Sequence, residues 1–364
     1  MQGVTSGVSL QVSTVRPERR LLRVFADPRR SIVGPASDLL WIYGSPVWAL
    51  IAVHALLHVS VLNRDVNIGE PTTIVAFVMA SITFAHLLPV FVRSHLNGTI
   101  RRTYRRRVLL VPPVLVIALA VWPAALIVAG VVAAFWDVYH TAQQNFGLGR
   151  IYDARAGVAR EETRRADRLI SHVLYLGPIL AGPSLMDHIG ELRSLDQVGW
   201  STLARTPDSV SPRAALLRAV VITVMVMAVG AYLLFAVRLA RRGIRSSPHK
   251  IALMVVSAVI QILAWGFSSP LVAFMVVNLY HAVQYFALVW HIEGRKAGGE
   301  IGLRKRNLAV PFGVLVVFIL PALFGAAESG IVSGSAIITA AFLSVSLLHF
   351  WMDGFIWSVR TNSV

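Results

Sequence analysis

Pro270-Leu-Val-Ala-Phe-Met-Val-Val-Asn-Leu-Tyr-His-Ala-Val-Gln-Tyr-Phe-Ala-Leu-Val-Trp-His-Ile292 runs without a single Asp, Glu, Lys or Arg. Coiled into a helix, a stretch of this length and apolarity reaches across the ~30 Å hydrocarbon core of a bilayer. It nevertheless carries Asn278, His281, Gln284 and Tyr285. Ionisable groups inside a span cost roughly 2.5–3.5 kcal/mol each on insertion scales, so such residues need a reason to be there.

Comparable apolar blocks recur outward from this one in both directions. The pattern predicts helices over 39–62, 71–92, 108–122, 123–149, 169–186, 213–238, 251–269, 270–292, 308–326 and 333–357. Hydrophobic residues make up 56% of the 364 and charged residues only 14%, against about 45–50% and about 25% in soluble domains. The expected fold is therefore an all-α polytopic membrane bundle with about ten transmembrane helices. It forms one domain over 39–358, between a basic cytoplasmic segment at 1–38 and a tail at 359–364. Within the first segment Leu21, Leu22, Val24 and Phe25 among arginines can lie on the membrane surface, and no signal-peptide core is present.

Charge tests the topology. With the N-terminus in the cytoplasm, the inner segments hold all but five of the 34 basic residues, the exceptions being Arg64, Arg193, Arg205, Arg213 and Arg218. The outer loops collect Asp65, Glu70, Asp187, Glu191, Asp196, Asp208 and Glu328. This asymmetry requires an even number of crossings with both termini inside, in a multi-pass protein of the cell (inner or plasma) membrane. The formal net charge of +16 is thus explained by topology, and nucleic acid is not an expected partner. Membrane lipid is, since the arginine-rich loops suit anionic headgroups. Cysteine is absent, which excludes disulfides, thiolate ligands and a cysteine nucleophile.

The polar residues within spans gather in four motifs. These are F-A-H-L-L-P around His86, W-D-V-Y-H-T-A-Q-Q-N around His140, Y-H-A-V-Q-Y-F around His281 and L-H-F-W-M-D around His349. Asp137 and Gln144 flank His140 at three and four residues, Gln284 follows His281 by three, and Asp353 follows His349 by four, so each group shares a helix face. Counting to the next inner arginine (Arg93, Arg150, Arg295 and Arg360) puts His86, His140, His281 and His349 roughly 10, 15, 21 and 16 Å deep at 1.5 Å per residue. Four histidines from four helices at similar depth predict one cluster between the cytoplasmic surface and the midplane.

A histidine cluster inside a bundle points to a metal, for which neutral imidazole is the commonest side-chain ligand. Imidazole with carboxylate suits iron and oxygen chemistry. Asp137 and Asp353 then either ligate directly or orient a histidine from behind. His291, His95, His172, Gln144 and Gln284 are possible additional ligands. His54 and His58, spaced H-x-x-x-H, form a second possible site near the outer end of the first helix. Taken singly, each element has a structural reading: His349–Asp353 as a buried brace, Gln143, Gln144 and Asn145 as interhelical glue, and Trp136, Trp290, Trp351 and Trp357 as interface aromatics.

The order of the four motifs resembles that of the Brp/Blh family of membrane β-carotene dioxygenases. In that family one helix carries P-H-G-x-x-D, a later one I-H-F-G-x-x-D, a third I-H-S-R-R-H-F and the last P-H-x-x-x-x-D. The resemblance covers 71–357. The first motif here lacks the glycine and aspartate, Tyr285 stands at the family's second histidine, and the last aspartate is offset by one. The resemblance implies a non-haem iron dioxygenase that cleaves a carotenoid-like polyene with O₂. His86, His140, His281 and His349 would hold the metal, Asp137, Asp353 and Tyr285 would serve the reaction, and Tyr139, Tyr280 and the tryptophans would line a channel. Three other readings stand beside it: a transporter or proton-coupled channel, a bis-histidine haem protein with His54 or His58 on the outer side, and a subunit of a larger complex or oligomer.

Overall fold

The computed structural model describes residues 24–62, 73–159, 161–300, 319–323 and 336–356. Helices alone build it; no strand occurs among the described residues. The long elements are α1 (Ser45–Leu62), α2 (Thr73–Leu87), α3 (Arg105–Val121), α4 (Pro123–Arg155), α5 (Glu161–Ala181), α6 (Ala214–Arg241), α7 (Pro248–Phe267), α8 (Pro270–Glu300) and α9 (Ala336–Ile356). Most of the helix expected over 308–326 lies outside the described residues, as do both chain ends and the segment of Arg64, Asp65 and Glu70.

Among the described residues five helices are long and apolar enough to cross a membrane, or up to seven if two bent pairs each count as one span. The protein is thus an all-α membrane protein. Solvent preference supports this independently of length. α6 turns Leu216, Val226, Met227, Leu233 and Leu234 outward and buries none of its most apolar window. Such a face is stable against hydrocarbon and unfavourable against water.

Several expected helices are broken. The first bends by 45° between the π-helical turn Asp38–Ile42 and α1. Gly44 sits at this bend, where a Cβ would collide with the Leu39 carbonyl. The second stops at Leu87 and resumes as the short turn Pro89–Phe91 and the π-helical Val92–Leu96, in keeping with a proline that cannot donate to the preceding turn. α5 starts earlier than expected, at Glu161, and turns by 87° into Leu185–Val198. Gly182 marks that corner, because any Cβ there would meet the Trp265 carbonyl of α7.

α8 is the central post. It packs on α1, α2, α7 and the Asp38–Ile42 turn, while α4 packs on α3, α5, α7 and α9. Gln144 on α4 donates to the His281 carbonyl (3.1 Å) and to Gln284 Oε1 (3.3 Å). Gln284 in turn donates to the Ile42 carbonyl (2.6 Å). These bonds fix the rotation of α4 and α8 relative to each other; interhelical bonds of this kind contribute on average about 0.6 kcal/mol in a membrane.

Candidate metal centre

The four motif histidines meet. His86 comes from the last turn of α2, His140 from the middle of α4, His281 from α8 and His349 from α9. All four are buried. Ring centroids lie 5.1 Å apart for His86–His281, His86–His349 and His140–His281, and 4.8 Å for His140–His349. The Nε2 atoms of His140 and His349 approach to 3.1 Å. Asp353 Oδ2 stands 3.7 Å from both of those nitrogens, and its Oδ1 accepts from the Tyr285 hydroxyl at 3.0 Å. Two sets emerge whose donor atoms lie within 4.8 Å of one another: His86, His281 and His349, and His140, His349 and Asp353. His349 belongs to both.

The hydrogen-bond inventory decides what this arrangement can do. Neither ring nitrogen of His281 has a partner among the described residues. The carbonyls of Thr83 and Leu87 lie beside His86 and His349, yet both nitrogens of His86 and Nδ1 of His349 have no hydrogen-bond partner among the described residues. A buried polar group without a partner costs about 1–3 kcal/mol. Two imidazole nitrogens 3.1 Å apart must share a proton or turn both lone pairs on one cation. Orphaned nitrogens from two further rings fit the second arrangement. Each of the two overlapping sets offers three donor atoms close enough to hold a metal ion.

The other expected site residues separate. Asp137 belongs to neither set and instead lines a cavity, as Asn278 does. Gln144 and Gln284 are committed to the interhelical bonds above. His291 is half-buried on the continuation of α8 and belongs to neither set. His95 stacks on Phe91 and its Nδ1 meets the Ser94 hydroxyl (2.9 Å), with burial holding its pKa below the usual histidine range. His172 bonds the Arg168 carbonyl (2.6 Å) and faces Tyr139. His54 and His58 are exposed on α1, with His54 Nδ1 on the Leu50 carbonyl (2.8 Å). No third ligand joins them among the described residues. Tyr139 and Trp290 are exposed, and Trp136 packs on Phe350, so none of these lines the cavity.

That cavity, of about 450 Å³, runs between α4, α5, α7 and α8. His86 and Phe350 line its inner end, and Asp187, His188 and Glu191 stand at its rim. The intervening wall is mostly apolar, with Asp137, Thr141, Tyr175, Gln261 and Asn278 among its polar points. Sequence reading passed over Gln261 and Trp265. Gln261 is the one strongly polar residue of an otherwise apolar run (251–264), and that was the available signal.

A second buried cluster was also missed. Lys250 Nζ bonds Asp153 Oδ2 and Asp167 Oδ1, each at 2.8 Å. Tyr232 donates to Asp167 Oδ1 (2.7 Å), the Ser247 amide donates to Asp153 Oδ1 (2.9 Å), and Arg150 reaches Asp167 Oδ2 (3.4 Å). His249, next along α7, is buried against Phe25, Tyr43 and Tyr152 rather than lying in a loop. The signal was the pair of acidic residues inside otherwise basic segments.

Comparison with known protein families, with curated proteins and with solved structures returns no match.

Proposed function

We propose that this chain is a membrane-embedded, iron-dependent oxygenase that uses O₂ on a lipophilic, carotenoid-like polyene. One observation carries the reading: buried imidazoles with unmet nitrogens and a carboxylate stand together, and one of the imidazoles, His86, lines a largely apolar cavity. The motif order gives the substrate class, by resemblance to the Brp/Blh family. His86, His140, His281 and His349 hold the metal together with Asp353. Bound iron supplies O₂ activation. The chain's own residues do the rest. Tyr285 pins one oxygen of Asp353 and leaves the other facing two histidines. Leu87, Val138 and Phe350 shape an apolar slot beside His86 and exclude water. A cavity of this size falls in the range of small-molecule sites, about 300–1,000 Å³. Ten crossings with both termini cytoplasmic, in the cell membrane, complete the proposal.

Haem fits less well. A macrocycle between two axial histidines needs its own thickness between their nitrogens, and those of His140 and His349 are 3.1 Å apart.

The test is metal analysis of detergent-purified protein with an absorption spectrum of the same sample. Stoichiometric iron without a Soret band, lost in His281→Ala, is expected, followed by O₂-dependent conversion of polyenes to carbonyl products. Intact protein that binds no metal overturns the reading and favours a transporter.

A further inference from the structure

Besides the nitrogens of His86 at the inner end, two buried polar atoms on the cavity wall have no partner among the described residues: Gln261 Oε1 and Trp265 Nε1. Both residues line the cavity and are almost wholly buried, at 1% and 3% exposure. They stand four apart on α7 and so share one face of the helix. Their chemistry is complementary, since the first accepts and the second only donates. The Gln261 amide is held in register by its neighbours. Its nitrogen donates to the Tyr280 hydroxyl (2.8 Å), which spends its own proton on the Tyr175 hydroxyl (2.9 Å). Tyr280 therefore needs a donor from Gln261, and Oε1 is the atom left over.

From this pair we infer that the cavity takes a lipophilic molecule bearing a hydroxyl group, which donates to Gln261 Oε1 and accepts from Trp265 Nε1. A hydrocarbon meets neither atom. A ketone, an ether or a carboxylate accepts from Trp265 but leaves Gln261 unmet. The direction of binding follows from the same residues. Trp265 packs against His188 (5.0 Å between ring centroids), which shares the rim with Asp187 and Glu191. The hydroxyl thus sits toward the polar rim and the apolar chain points inward to His86. The inference deepens the proposed function by naming a hydroxylated rather than a plain hydrocarbon substrate. It rests on that reading only for what happens at the histidine end.

The experiment uses full-length, metal-free protein in nanodiscs and needs no turnover. Geranylgeraniol and its methyl ether are titrated by calorimetry into wild type, Gln261→Met and Trp265→Phe, each with its thermal melt recorded. The alcohol-to-ether affinity ratio is compared between variants, which cancels partitioning into lipid. The alcohol is expected to bind about tenfold or more tighter than the ether in wild type, since one satisfied buried acceptor is involved. That ratio falls to about one in Gln261→Met, and both ligands weaken in Trp265→Phe. Equal affinities in folded wild type, or a preference that survives in Gln261→Met, overturn the inference and assign the two atoms to a bound water. A preserved preference in protein that never binds iron supports the hydroxyl subsite while the oxygenase reading fails.

Discussion

Two of the buried polar clusters in this protein differ in whether their ionisable groups are answered. Around Lys250, every charge has an answer. The ammonium reaches two carboxylates, and these also accept from Tyr232, the Ser247 amide and Arg150. Around His349, rings touch rings while nitrogens of His86, His281 and His349 go unmet. The first cluster joins α4, α5, α6 and α7 with its charges paired, and only the uncharged Ser247 hydroxyl at its edge goes unmet among the described residues. The second joins α2, α4, α8 and α9 and is chemically open. Burial and polarity alone would rank the two alike. Completeness of hydrogen bonding separates a brace from a site, because an unmet buried group carries a cost that only a ligand or a proton transfer relieves.

The largest expected effect tests the brace. Asp153→Ala leaves Lys250 short of one of its two buried counter-charges, and breaking such a pair costs about 3–5 kcal/mol. A sharply lower midpoint in a detergent thermal melt is the expected result. Replacing Lys250, Asp153 and Asp167 together by Met, Leu and Leu recovers much of the loss, because a filled apolar core replaces an ion pair at little net cost.

Breaking the open cluster has a different signature. His281→Ala lowers bound iron by more than about tenfold at fixed metal, since even residues behind the ligands are worth roughly 10–100-fold. Its metal-free thermal midpoint falls less than that of Asp153→Ala, because the ring it removes had no hydrogen bond to lose. Equal losses of stability in the two variants would erase the distinction between brace and site.

Tyr285→Phe sharpens the comparison from inside the site. It removes the bond to Asp353 Oδ1 and weakens iron binding by roughly 10–100-fold, with all five ligand candidates intact. A competitive chelator titration measures it. The smallest effect belongs to Gln144→Leu, which cuts two interhelical bonds and costs about 0.6–1.7 kcal/mol without changing metal stoichiometry. A combined His54→Ala and His58→Ala variant should retain full iron content.

Legibility differed between the levels of structure. The helical membrane class was readable because hydropathy sums over neighbours along the chain, so local errors average out. The four histidines stood out as costly exceptions within apolar runs, and depth counting from the next arginine brought them level. Asp137 shows where that stops. It sits three residues before His140, yet it lines the cavity and belongs to neither donor set, while Asp353, four residues after His349, reaches the rings.

Sequence by itself determined the medium, the helical class and the residues too polar for their surroundings, because each follows from the transfer energy of a short stretch. Tertiary structure alone decided which polar residues face one another. A helix turns about 100° per residue, so the breaks at Gly44 and Pro89 reset the facing of everything beyond them. The cavity and its Gln261–Trp265 pair arise only where α4, α5, α7 and α8 leave a gap, and no single segment encodes a gap.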